Sequence, residues 1–188
     1  MKIQSIHLKH ILHFADLKVD FSYHDKPVTL ILGDQASGKT SILRFSYQAL
    51  TWFAARYKDL RSAGVVMLDH DIMLNRLQSK IDIQVAVPAE LYALKPTATD
   101  TATEPYAWQL YKTLNQQGIG ISRVETLELE QLVNLYQQAT LQDPLQGLPL
   151  IAYYPAERFV NEMNILSKNN PLIFQHAHAY EISAIPYT

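Results

Sequence analysis

The chain has 188 residues, enough for one medium-sized domain with a real core. Hydrophobic residues make up 48% and charged residues only 18%, against roughly 25% in ordinary soluble domains, which hints at an apolar face awaiting a partner. A net charge of −2 and a pI of about 6.4 advertise no global basic field for nucleic acid, and the absence of cysteine excludes disulfides, thiolate metal sites and cysteine nucleophiles.

The opening KIQSIHLKHILHFADLKVDFSY alternates polar and apolar residues around a short break at 13–16, predicting two strands at 3–11 and 17–21. Asp25 and Pro27 punctuate the turn YHDKP. VTLIL, residues 28–32, is apolar on both faces, the mark of a central strand in a covered sheet. Beyond GDQASGKTS at 33–41, the run ILRFSYQALTWFAARYKDL holds neither glycine nor proline. Ile42, Phe45, Ala49, Trp52 and Phe53 recur there at helical spacing, so an amphipathic helix of about five turns is predicted. Arg56, Lys58 and Arg61 read as cations gathered at its carboxyl end.

SKIDIQVAVPAE alternates Ile81, Ile83, Val85 and Val87 as a half-buried strand, and YAWQLYKTL is its expected partner. The threonine- and alanine-rich stretch between them, at 95–105, is expected to be a mobile loop. Ser122 and Glu125 have capping-box spacing, so a second helix is expected to start there and carry TLELEQLVNLYQQA. LPLIAYYPAERF predicts another buried strand, and the tail PLIFQHAHAYEISAIPYT fits no single element. The expected organisation is one lobe over 1–188. Residues 1–60 supply strands, the loop at 33–41 and the first helix; 61–120 an antiparallel β portion; 121–188 a helix, a buried strand and a tail.

Residues 33–41 carry the chemistry. Gly33, Gly38, Lys39 and Thr40 match G-x-x-x-x-G-K-[ST], with an apolar run before and a helix after. A polyphosphate concentrates negative charge, so water must be replaced by many donors at once. Backbone N–H groups of Asp34, Gln35, Ala36, Ser37 and their neighbours can converge only if the loop wraps tightly, which Gly33 and Gly38 permit. The unpaired amides and positive dipole end of the following helix face the same anion. Lys39 would neutralise the β- and γ-phosphates, Thr40 would offer its hydroxyl to Mg²⁺, and Ser41 a hydroxyl near the α-phosphate. The loop is therefore read as a binding site for ATP with Mg²⁺.

Hydrolysis also needs an acidic residue closing a second apolar strand. Two candidates exist: Asp69, after Val65 to Leu68, and Glu157, displaced in PAE. Asp69 reads more readily as part of a loop entering the SKIDIQV hairpin. His176 and His178 share one side of a strand but lack an evident third ligand, and His7, His10 and His13 do not align on one face.

LKHILHF at 8–14, followed by VTLILGDQASGKTSILRF, resembles the amino-terminal lobe of SMC/RecF/OLD-type ATPases, which are relatives of the ABC ATPases. Here His10 stands where asparagine is frequent, Leu12 where arginine is frequent, and Asp34 and Gln35 replace glutamate and asparagine in the loop. LIAYYPAERF is similar to a segment of predicted ATP-binding proteins of this group, once labelled as involved in virulence. The resemblance implies an α/β P-loop NTPase lobe of ABC/SMC type: a mixed sheet around the loop strand and helix, with an antiparallel β subdomain. It also implies an ATPase site completed by a second copy or by a carboxy-terminal lobe, since no L-S-G-G signature is present. Turnover by the chain alone is expected to be weak or absent, and nucleic acid is implied by the resemblance only. Alternatives are a self-contained P-loop phosphotransferase using Asp69, and a regulatory module that binds nucleotide without chemistry. No signal core and no apolar run of membrane-spanning length is present, so a cytoplasmic protein without membrane contact is expected.

Overall fold

The alternation in the first twenty residues becomes two antiparallel strands, β1 (Lys2–Ile11) and β2 (Phe14–Asp20), paired from Ser5 opposite Asp20 to Ile11 opposite Phe14. They belong to a computed structural model that describes residues 1–23, 28–92, 105–115 and 120–154. On the other edge of β1 lies β3 (Gln78–Ala86), with Ile83 opposite Ile6 and Ile81 opposite Leu8. The sheet continues through β4 (Tyr106–Leu114) to β5 (Gly120–Glu125). Its order is β2-β1-β3-β4-β5 with every neighbouring pair antiparallel, so the antiparallel portion is built directly onto the first two strands.

Period-two alternation turns Ile6, Leu8, Ile81, Ile83, Val85, Trp108 and Leu110 to one face, where all are buried. Two helices cover that face: α1 (Lys39–Lys58) contributes Phe45, Ala49 and Phe53, and a later helix at Leu127–Gln142 contributes Leu129, Leu132, Val133 and Tyr136. A single helical turn, α2 (Ala89–Tyr92), makes the later helix α3. Trp108 Nε1 donates to the carbonyl of Ala49 at 3.0 Å, tying β4 to α1, and Phe53 meets Tyr136 edge-on at 5.3 Å. Burial pushes the Tyr136 phenol up to about 12, so it stays neutral within the core. The opposite face carries Lys9, Lys80, Asp82 and Gln84 and is at least partly open. The architecture is a two-layer α/β lobe.

Three expectations change. Residues 28–32 form no strand and join no ladder among the described residues; Leu30 is 76% and Leu32 81% exposed, while Ile31 packs against the core. A strand apolar on both faces is stable only with neighbours on both edges, and no described strand flanks this one. Ser122 and Glu125 lie within β5, paired to β4, and α3 starts later with Thr126 as its N-cap. Strand pairing outcompetes the capping-box spacing there. Residues 148–154 are likewise outside any strand; Leu148 and Ile151 pack against the core, whereas Leu150 is exposed. The loop expected at 95–105, apart from Pro105, lies outside the described residues, as does everything from 155 onward, including Glu157, His176 and His178.

Between α1 and β3 a 3-10 turn at Asp69–Asp71 places the Asp71 carboxylate in the interior, wholly buried. It accepts from Arg44 Nη2 on α1 at 2.5 Å and from the backbone N–H of Leu68 at 2.9 Å. The Asp71 carbonyl accepts from Leu12 N–H at 2.8 Å, and Met73 N–H donates to the His10 carbonyl at 2.8 Å. One acidic residue thus joins α1, the β1–β2 turn and the segment leading to β3. Asp71→Ala is expected to cost about 1–3 kcal/mol in urea unfolding, because it leaves the partly exposed Arg44 guanidinium and the Leu68 N–H without their acceptor. The double variant Arg44→Met/Asp71→Leu should recover part of that loss.

Candidate phosphate-binding site

The loop at 33–38 ends in Gly38, the N-cap of α1, with φ of 91°; Ala36 is also left-handed at 61°. A side chain at Gly38 has no room. An added Cβ would sit 2.2 Å from Phe14 Cζ and 2.6 Å from His13 Nε2, so the β1–β2 turn closes directly over this residue. Only glycine combines that backbone with that approach.

The first helical bond runs from Ile42 N–H to the Gly38 carbonyl at 3.0 Å. The amides of Lys39, Thr40 and Ser41 precede it and have no acceptor within the helix. No side chain caps them and no acid occupies the first turn, so the positive end of α1 is left open toward the loop. Lys39 Nζ donates to the Gly33 carbonyl at 2.8 Å, the Asp34 carbonyl at 2.5 Å and Ser37 Oγ at 3.2 Å, which engages all three ammonium donors within the loop. Ser37 N–H turns back to the Asp34 carbonyl at 3.3 Å. Thr40 is exposed, and its hydroxyl makes no hydrogen bond among the described residues. Those residues include no cluster of three His, Asp or Glu fit for a metal. A Mg²⁺ bound mainly by phosphate oxygens and water needs few protein ligands, and the open Thr40 hydroxyl fits that role.

The other sequence candidates fall elsewhere. Asp69 is held by Lys112 of β4 at 2.8 Å, and an added Cβ at Gly120, where β5 begins, would lie 1.9 Å from its Oδ1. Its carboxylate thus ties the strand ends to the 3-10 turn. His7 pairs with Asp16 at 2.6 Å across β1 and β2, and this hydrogen bond holds the Asp16 carboxyl below its usual value. His10 adopts φ of 54° at the end of β1. His13 and Phe14, the two residues over Gly38, are what sequence reasoning missed. Their position follows from how β1 and β2 turn against α1, which no spacing in the chain encodes.

Loop, helix and sheet form a two-layer α/β lobe with a G-x-x-x-x-G-K-T loop at the head of its first helix. The chain matches the family model AAA_23, described as an AAA domain, over residues 5–182, and it belongs to that family. It is similar to the retron Vc95 probable ATPase of Vibrio cholerae serotype O1 biovar El Tor, at 24% identity over 164 residues. That match takes in 85% of this chain and 29% of the relative, so the chain spans less than a third of that protein's length. A solved structure described as "Structural biochemistry of ATP-driven dimerization and DNA stimulated activation of SMC ATPases" is also similar, at 14% identity. Its TM-score is 0.41 over 72% of this chain and 79% of that one, a likeness too loose to carry an argument. The SMC/RecF/OLD-like resemblance read at LKHILHF and VTLILGDQASGKTSILRF stands with the family: this is an AAA-domain lobe. Among the described residues no helix is long and apolar enough to cross a membrane.

Gly38→Ala is expected to lower stability by at least roughly 1–2 kcal/mol through its left-handed backbone alone, with the Phe14 clash adding to it. Gly147→Ala, with nothing within 4 Å of the new carbon, should leave the thermal midpoint unchanged in the same scan.

Proposed function

We propose that residues 33–41 bind Mg-ATP and that this lobe hydrolyses it only after a second copy or a carboxy-terminal lobe completes the site. The observation that supports binding is the combination at the head of α1. Three amides have no helical acceptor, no side chain caps them, and the Lys39 ammonium is already folded into the loop beside them. A triphosphate entering there would draw Lys39 off the Gly33 and Asp34 carbonyls and onto its own oxygens. Neutral carbonyls are weaker partners for an ammonium than phosphate is, so the exchange is downhill. Mg²⁺ would be held at Thr40 and would screen charge developing between the β- and γ-phosphates.

Completion by another element is supported by the residues leading into the loop. Val28, Leu30 and Leu32 are exposed immediately before Gly33. Apolar side chains spaced this way along an unpaired segment suit the addition of flanking strands. Of the two acids at the 3-10 turn, Asp69 is engaged by Lys112 and Asp71 by Arg44, so neither is free for water activation. That arrangement gives no support to a self-contained phosphotransferase built on Asp69.

Titration with a non-hydrolysable ATP analogue and Mg²⁺ tests the reading. Lys39→Ala should weaken binding at least about thirtyfold, given the strength of charge-assisted phosphate contacts, while the thermal midpoint in the absence of nucleotide changes little. Equal affinity in wild type and variant would refute it. Leu30→Glu, at an exposed position, should leave the fold and nucleotide binding intact and suppress association with the completing lobe or copy, read by mass measurement.

A further inference from the structure

We infer that two copies of this chain join edge to edge through β5, antiparallel across a two-fold axis at Val124, with Arg123 of each copy paired to Glu125 of the other. This association is independent of the phosphate-loop reading and needs no nucleotide. β5 ends the sheet order and has β4 on one side only. The direction of its main-chain groups follows from the ladder. Leu114 N–H donates to the Leu77 carbonyl at 2.8 Å, so even-numbered residues of β4 bond toward β3 and odd-numbered ones toward β5. Ala107 N–H agrees, since it points to the β5 side and donates there to Glu128 Oε2 at 2.7 Å. Thr113, Tyr111 and Gln109 therefore bond to Ile121, Arg123 and Glu125. The amides and carbonyls of Gly120, Ser122 and Val124 face the open edge, where among the described residues they meet no backbone partner.

Sheet edges are normally blunted by proline, bulges or unmatched charge. β5 has no proline and pairs with β4 in unbroken register. Its charges are of opposite sign, two residues apart on the outer face. Arg123 and Glu125 are exposed, and neither forms an ion pair among the described residues. The other edge differs: on β2, Asp16 is held by His7 and Lys18 by Asp20 within the same chain. Placing Arg123 opposite Glu125 of a second copy sets Val124 on the axis and forms two reciprocal charge pairs. The same register brings Ile121, 53% exposed, alongside the start of the second copy's α3, where Leu127 is 74% exposed. Alternative registers set Arg123 against its own copy, or against Ile121 with Glu125 beyond the end of the strand. One register thus satisfies both the charges and the exposed apolar side chains. A contact made by one short strand falls below the roughly 1,200 Å² of a stable interface, so the dimer is weak and concentration-dependent.

Sedimentation equilibrium of the 188-residue chain without nucleotide tests the inference. Wild type is expected to pass from monomer to dimer as its concentration rises from micromolar toward millimolar. Arg123→Glu alone and Glu125→Arg alone should each weaken association at least about tenfold, because two like-charge pairs replace two opposite ones. Mixing these two variants should restore association, and so should the double variant Arg123→Glu/Glu125→Arg; recovery also shows that the single variants are folded. Lys39→Ala should associate as wild type does, so a failure of the phosphate-loop reading leaves this result unchanged. A monomer at every concentration would overturn the inference. So would single variants that associate like wild type, or a mixture that stays monomeric.

Discussion

At Gly38 two demands meet in one residue. The backbone must turn left-handed so that α1 can begin with its amides facing the loop, and the space a side chain would fill is already taken by Phe14 and His13. Any other residue would push the β1–β2 turn away from the loop or unwind the first turn of α1. The sheet, the first helix and the loop at 33–38 are consequently parts of one packing problem. A motif that looks like nine local residues is in fact clamped by a turn more than twenty positions earlier.

The clamp has a buried electrostatic anchor. Asp71 receives Arg44 from α1 and Leu68 from its own segment, while its carbonyl takes the Leu12 amide. Buried ion pairs are poor sources of net stability, but they penalise misplacement strongly because a lone buried charge is expensive. Here that penalty fixes the distance between the helix that carries Lys39 and the turn that carries His13. The energetic consequence of the fold is positional accuracy at the head of α1.

Much of this was legible in the sequence, for identifiable reasons. Alternation in Ile81, Ile83 and Val85 gave β3 because one face of an antiparallel sheet is dry and the other wet. The spacing of Phe45, Ala49 and Phe53 gave α1 because its buried stripe is continuous. VTLIL misled for a physical reason: its two apolar faces announce neighbours on both edges, and the described residues contain none. SRVE misled because a capping box is a local preference, and pairing with β4 is worth more than a cap. Within VVMLDHD the sequence drew attention to Asp69, whereas the buried, structurally committed carboxylate is Asp71; a 3-10 turn separates them, and hydropathy does not resolve which of two nearby acids turns inward. Exposure of Leu30 and Leu32 fits the low charged fraction, since an apolar edge left open is what a shortage of surface charge foreshadows.

The central claim is that main-chain amides at the head of α1, with Lys39, form a seat for a triphosphate. Backbone ¹H–¹⁵N spectra recorded while Mg²⁺ and a non-hydrolysable ATP analogue are added test it most directly. The account predicts large, saturable shifts of the Gly38, Lys39, Thr40 and Ser41 amides, with the outer-face strand residues Lys80 and Asp82 unmoved. Shifts confined to other parts of the sheet, or none at saturating nucleotide, would contradict it.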